Sequence, residues 1–184
     1  YGLVGSEMCI RDRTVTSTLP IMTDNVTFTF GGKSETVQLI VVPDDRTNDL
    51  DDYVRLEDES KEPLSLRDGD VYLSKSSQLV LGIQPGDTAH VQDSSLNVAK
   101  VKVSDISLNY LGNTLYMTQG TYERAFGRSV RLNGIFALLK GLSADQIAFS
   151  KKLKSDGWLS ISSTAEHWEN FEANFTIINL SLIH

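Results

Sequence analysis

Apolar and polar residues alternate with a period of two over most of this chain, and short stretches of helical period break the alternation at regular places. Val26, Phe28 and Phe30 alternate with Thr27 and Thr29, Gly31-Gly32 is a hairpin turn signal, and Val37 to Val42 returns, so the spacing predicts a β-hairpin. Thr14 to Leu19, β-branched and followed by Pro20, is an extended lead-in. Asp68 to Asp93 carries the clearest punctuation. Val71 to Leu73 is a strand, Ser74 caps a short helix with Leu73, Ser77, Val80 and Leu81 inward, Gly82 stops it, and Pro85-Gly86 launches Thr88 to Val91. Val98 to Leu108 alternates as one long strand, with Lys100 and Lys102 on its polar face and a bend near Ser104-Asp105.

The same grammar recurs twice. Tyr110 to Asn113 turns into a strand at Thr114 to Met117, Thr118 caps a helix striped by Tyr122, Ala125 and Phe126, Gly127 stops it, and Asn133 to Leu139 is a strand. Ser143 and Gln146 then form a capping box, Phe149 and Leu153 meet one turn apart, Gly157 closes that helix, and Trp158 to Ser162 is β. Three strand-helix-glycine-strand passages after one hairpin predict an α+β domain, a mixed, mostly antiparallel sheet with short helices covering one side. A last helix is expected from about Ser163, where Ser163 and Glu166 make a capping box and Trp168, Phe171, Phe175 and Ile178 fall on one face. Such a stripe is first a packing surface, and second a partner or membrane-coupling face.

Composition changes the picture at the two ends. Met8 to Arg13 can be encoded by a DNA stretch whose reverse complement reads Leu-Ser-Leu-Ile-His, the sequence of Leu180 to His184. Both ends therefore resemble a sequencing adapter read from opposite strands, and residues 1–13 and 180–184 are treated as foreign to a single domain over 14–179. Cys9 is the only cysteine, so that domain has neither a disulfide nor a thiolate metal site. A net charge of -7 argues against a nucleic-acid surface, which needs clustered Lys and Arg.

Candidate chemistry is sparse. Gly31-Gly32-Lys33-Ser34 lacks the earlier glycine of a phosphate loop, since Thr27 stands there, and a turn is the better reading. Asp44, Asp45, Asp49, Asp51 and Asp52 crowd one loop, but the sixth and twelfth places of a calcium loop counted from Asp44 hold Asp49 and Arg55. A solvated acidic loop is favoured. His90 and His167 are isolated and suggest no zinc site, no nucleophile elbow is present, and neither a cofactor nor a catalytic residue is assigned. Asn25 and Asn174 match glycosylation acceptors by a pattern that arises often by chance.

Val71-Tyr-Leu-Ser74, Leu79 to Gly82 and Gln84-Pro-Gly-Asp-Thr88 resemble the extracytoplasmic domain of FtsX-like (MacB-type) ABC transporter permeases. Asn109-Tyr-Leu-Gly-Asn113-Thr-Leu-Tyr-Met117 and Thr121-Tyr-Glu-Arg124-Ala-Phe-Gly127 are similar to a run in its large bacterial members, and Trp158 to Phe175 resembles the return towards a membrane helix. The resemblance spans most of Asp68 to Asn179. It implies a non-catalytic domain on the outer side of the cell membrane, coupling a cytoplasmic ATPase to export or transmembrane signalling. Its implied partners are the transmembrane helices of a parent permease, that ATPase indirectly, and a second permease in a dimer; nucleic acid is not among them. The helix bearing Trp168, Phe171, Phe175 and Ile178 is the expected mechanical link. Two other readings stay open: a free secreted or cell-surface binding module, and a carboxylate-based hydrolase using two of Asp87, Asp93, Asp105 and Glu123.

Overall fold

The computed structural model describes residues 15–108, 112–140, 147–148, 151, 160–163 and 177–181. Backbone contacts divide the chain into two compact units, Met22–Arg131 and a unit formed by the residues before and after it. Strand β1 (Val15–Phe30) is shared by sequence, its first part in one unit and its second in the other.

In Met22–Arg131 the second part of β1 pairs with β2 (Lys33–Val42) in the expected hairpin. Gly31 (φ 56) and Gly32 (φ 78) both take the left-handed conformation a two-residue turn of this hand requires. The remaining strands are β3 (Val71–Ser74), β4 (Thr88–Gln92), β5 (Val98–Lys102), β6 (Asp105–Ser107) and β7 (Thr114–Thr118). Their order is β6-β3-β7-β2-β1-β4-β5. Only β2–β7 and β3–β6 are parallel, so the unit is α+β with a mixed, mostly antiparallel sheet. Helix α1 (Lys75–Leu81) lies in the chain between the strands of both parallel pairs, which tight turns cannot join, while α2 (Gln119–Phe126) follows β7.

One face of this sheet is the main core, with Phe28, Leu39, Leu73, Val91, Leu115 and Tyr122 buried together. On the opposite face Ile40, Tyr116 and Tyr72 stand in register across β2, β7 and β3, and all three are buried. The segment after β2 carries Leu50, Tyr53, Val54 and Leu56, also buried, and begins with a 3₁₀ helix over Asp44–Asp52. The Tyr72 hydroxyl lies 2.9 Å from each of two acceptors, Ser65 O and Asp70 Oδ2, which share its one proton. Burial, and then the Asp70 carboxylate, push this phenol well above its ordinary pKa. The face is left open towards β1, β4 and β5.

In the other unit the first part of β1 pairs with β8 (Gly134–Leu139), β8 with β10 (Ile177–Ser181), and β10 with β9 (Ser160–Ser163), all antiparallel. Strand β8 is central in this sheet, and Ile135, Phe136, Ala137 and Leu139 are buried, which accounts for its continuous apolar run.

Four local expectations need correction. Val80 is half exposed and Gln78 is buried in its place beside Ser77 and Leu81, because the buried stripe runs at i, i+1 and i+4 from Ser77 and leaves Val80 outside its arc. Ser74 caps no helix amide; its Oγ accepts from Thr114 N at 3.1 Å and donates to Ser77 Oγ, so a tertiary contact displaced the local one. Val98 to Leu108 is two strands, because β5 follows β4 while β6 crosses to β3. Ile178 lies in β10 opposite Ala137 and Ser163, not in a helix. Ile177 and Ile178 are β-branched and find partners on both sides of their strand, which outweighs the three-four spacing. Helical residues expected at 143–157 and 164–176 lie almost wholly outside the described residues.

Candidate functional site

The acidic segment is fixed through the start of α2. Thr118 sits in extended backbone before the helix and its Oγ1 accepts from Thr121 N at 3.3 Å, as the sequence predicts. Gly120 N donates to Asp44 Oδ1 at 3.0 Å, and Gly69 N donates to Thr121 Oγ1 at 2.8 Å. Asp68 Oδ1 accepts from Arg124 Nη2 at 2.5 Å and lies 3.4 Å from both threonine hydroxyls. Two carboxylates thus face the positive end of a helix, where the dipole favours them. The Arg124 hydrogen bond, against a smaller desolvation, holds the Asp68 carboxyl below its ordinary range. A Cβ on Gly120 would stand 3.0 Å from Asp68 Oδ1 and 3.1 Å from Asp44 Oδ2, so the glycine makes room for both acids.

Within the 3₁₀ helix, Asp49 pairs with Arg46, and Asp51 is pushed up by partial burial and then by Asp52 beside it. Among the described residues no three His, Cys, Asp or Glu side chains come together in a way that could hold a metal ion. Asp44 serves the start of α2 and Asp49 pairs with Arg46.

The four acids considered for hydrolysis are each held by local structure. Asp87 Oδ2 accepts from Gln84 N at 2.9 Å and closes the turn at Pro85-Gly86. Asp105 Oδ1 accepts from Ile106 N, and Glu123 Oε1 accepts from Gln119 Nε2 and Val130 N. Asp93 organises the turn between β4 and β5. Its carboxylate accepts from Ser95 N, Asn97 N and Asn97 Nδ2 and pairs with Arg128 Nη1 at 3.0 Å, with the side chain fully buried. Asp24 clamps the same turn by accepting from Ser94 N and Oγ. Asp87 and Asp93 flank the five residues of β4, about 20 Å apart at about 3.4 Å per residue. That is too far for the roughly 5–9.5 Å of a glycosidase pair.

The turn so braced presents Leu96, which is 75% exposed and left-handed at φ 66. Asp93 is a candidate acid in the sequence, whereas Arg128 and Asp24 come from distant segments and carry no local signal. The Asp93-Ser-Ser-Leu-Asn97 order, an acceptor followed by donors before a strand, is the signal that marks an Asx-type turn. Of the expected partner face, Trp168, Phe171 and Phe175 lie outside the described residues and Ile178 sits in β10. No helix among the described residues is long and apolar enough to cross a membrane.

No protein-family model matches the sequence, and no curated protein matches it. Solved structures do. The periplasmic region of MacB from Actinobacillus actinomycetemcomitans aligns over 81% of this chain and 71% of its own, at 16% identity and a TM-score of 0.46. The extracellular domain of the noncanonic ABC-type transporter YknZ from Gram-positive bacteria aligns over 85% of this chain and 83% of its own, at 12% identity and a TM-score of 0.50. The mixed sheet with its short helices is thus the fold found in the extracellular domain of YknZ.

Proposed function

We propose that the chain is the extracytoplasmic domain of an ABC transporter permease, without catalysis of its own, held between transmembrane helices of its parent. The observation that carries the reading is the fold likeness to the YknZ extracellular domain over 85% of the chain. The ordered motifs from Val71 to Gly127 support it independently. In this reading a cytoplasmic ATPase hydrolyses ATP, membrane helices transmit the change, and this domain converts it into export or a transmembrane signal.

Phe171→Pro in the full permease, reconstituted with its ATPase in vesicles, tests the coupling. Loss of output with ATP hydrolysis retained and the isolated domain still folded is the expected result. Unchanged coupling would remove the 163–178 segment from the mechanism. A parent gene without apolar runs of about 20 residues on either side of the domain would overturn the permease reading itself.

A further inference from the structure

Strand β5 is an edge. It pairs with β4 and with no other strand among the described residues. Hydrogen bonds from Asp93 N to Asn97 O and from Val103 N to Asp87 O, both 2.9 Å, fix the two ends of the β4–β5 ladder. Antiparallel alternation then directs the backbone groups of Ala99 and Val101 to β4 and those of Val98, Lys100 and Lys102 outward. No hydrogen bond to these outward groups occurs among the described residues. The opposite edge, β6, has only three residues and is followed by Leu108, whose N–H is taken by Glu57 O.

The side chains of the same three residues are exposed on the open face. Val98 is 58% exposed and follows the exposed Leu96 by two residues. Beside them on that face stand Thr88, His90 and Gln92 of β4 and Asn25, Thr27 and Thr29 of β1, and none of these is a carboxylate. In a chain of net charge -7, two lysines two residues apart with no carboxylate among these described neighbours on the open face form a cationic strip.

We propose that the outer edge of β5 is a docking strand for an extended acidic segment of a partner protein, which joins the sheet beyond β5. Main-chain hydrogen bonds to Val98, Lys100 and Lys102 supply the register. Alternate side chains of the incoming strand meet Lys102, Lys100 and the Val98–Leu96 apolar corner, so the fitting order is acid, acid, apolar at every second residue. Lysines on an edge strand are a common guard against self-association. A second copy paired antiparallel about Lys100 would set Lys100 against Lys100, and like charges directly opposite destabilise a sheet. The guard therefore rejects a copy of itself and neutral strands while admitting an acidic one. The Asp93–Arg128 and Asp24–Ser94 contacts brace the apolar corner before any partner arrives.

The probe is a seven-residue blocked peptide in which threonine alternates with glutamate, glutamate and leucine, titrated into the full 184-residue chain. Saturable binding is expected, with amide exchange at Val98, Lys100 and Lys102 slowed at least tenfold. Lys100→Glu with Lys102→Glu is expected to weaken binding at least tenfold, as is replacing the peptide glutamates by lysine. Lys100→Gln with Lys102→Gln keeps the fold under test by circular dichroism, and a peptide N-methylated on its edge-facing amides tests strand addition without touching the protein. Equal binding of the N-methylated peptide overturns the proposal. So does absence of saturable binding, or protection of the same three amides by self-association without peptide. Phosphatidylglycerol vesicles that bind in place of the peptide would also overturn it, by assigning the strip to an anionic membrane.

Discussion

Replacing Asp93 with alanine removes the centre of the β4–β5 turn. The carboxylate is fully buried, pairs with Arg128 at 3.0 Å and accepts from two backbone amides and the Asn97 amide. Breaking a buried pair by deleting one partner costs about 3–5 kcal/mol. Arg128 is 39% exposed and the turn amides of Ser95 and Asn97 lie near solvent, so water recovers part of that. The loss should be about 3 kcal/mol, or roughly 6–12 °C in Tm for a chain of this size. Urea unfolding followed by circular dichroism measures it. A double-mutant cycle with Arg128→Ala should return a coupling of about 1.5 kcal/mol, because deleting the half-exposed arginine alone leaves the carboxylate its turn amides. A loss below about 1 kcal/mol with no coupling would refute the view that Asp93 organises this turn, since the charge-assisted bonds alone should exceed that.

Further outcomes follow from single positions. Gly86→Val, at φ 96 with open space around its Cβ direction, should cost about 2–3 kcal/mol in equilibrium unfolding through backbone strain alone; a normal melting temperature would contradict this. Leu96→Gly should stabilise by about 1 kcal/mol, since a left-handed leucine is strained and this one is exposed; destabilisation would mean that Leu96 packs in the free chain. Asp51 has its folded-state pKa raised, chiefly by burial, so its ionisation weakens the native state as pH rises through the raised value and its protonation at lower pH relieves it. Asp51→Asn should therefore raise stability at neutral pH by no more than about 0.5 kcal/mol and change nothing at pH 3, a difference read by thermal melts at both pH values.

Sequence alone determined the elements whose signals are local. Alternation marked the second part of β1 and the Val98–Leu108 stretch, short apolar or β-branched runs between turn signals marked β2, β3, β4, β7 and β8, Gly82 and Gly127 ended their helices in the left-handed conformation, and Thr118 capped α2. These outcomes depend on side-chain period and on backbone torsions within a few residues, so neighbours suffice to set them.

Tertiary structure decided what depends on partners far along the chain. Ser74 left its helix for Thr114 because a buried amide there needed an acceptor, and β6 left β5 because β3 offered a parallel edge. Ile178 became a strand residue through β8 and β9 despite a helical spacing. The candidate surface divides in the same way: alternation shows that Val98, Lys100 and Lys102 share a face, but not that their backbone groups lie on the outside of the sheet. Which strand lies at an edge is a property of pairing order, set by contacts across tens of residues, and no local period encodes it.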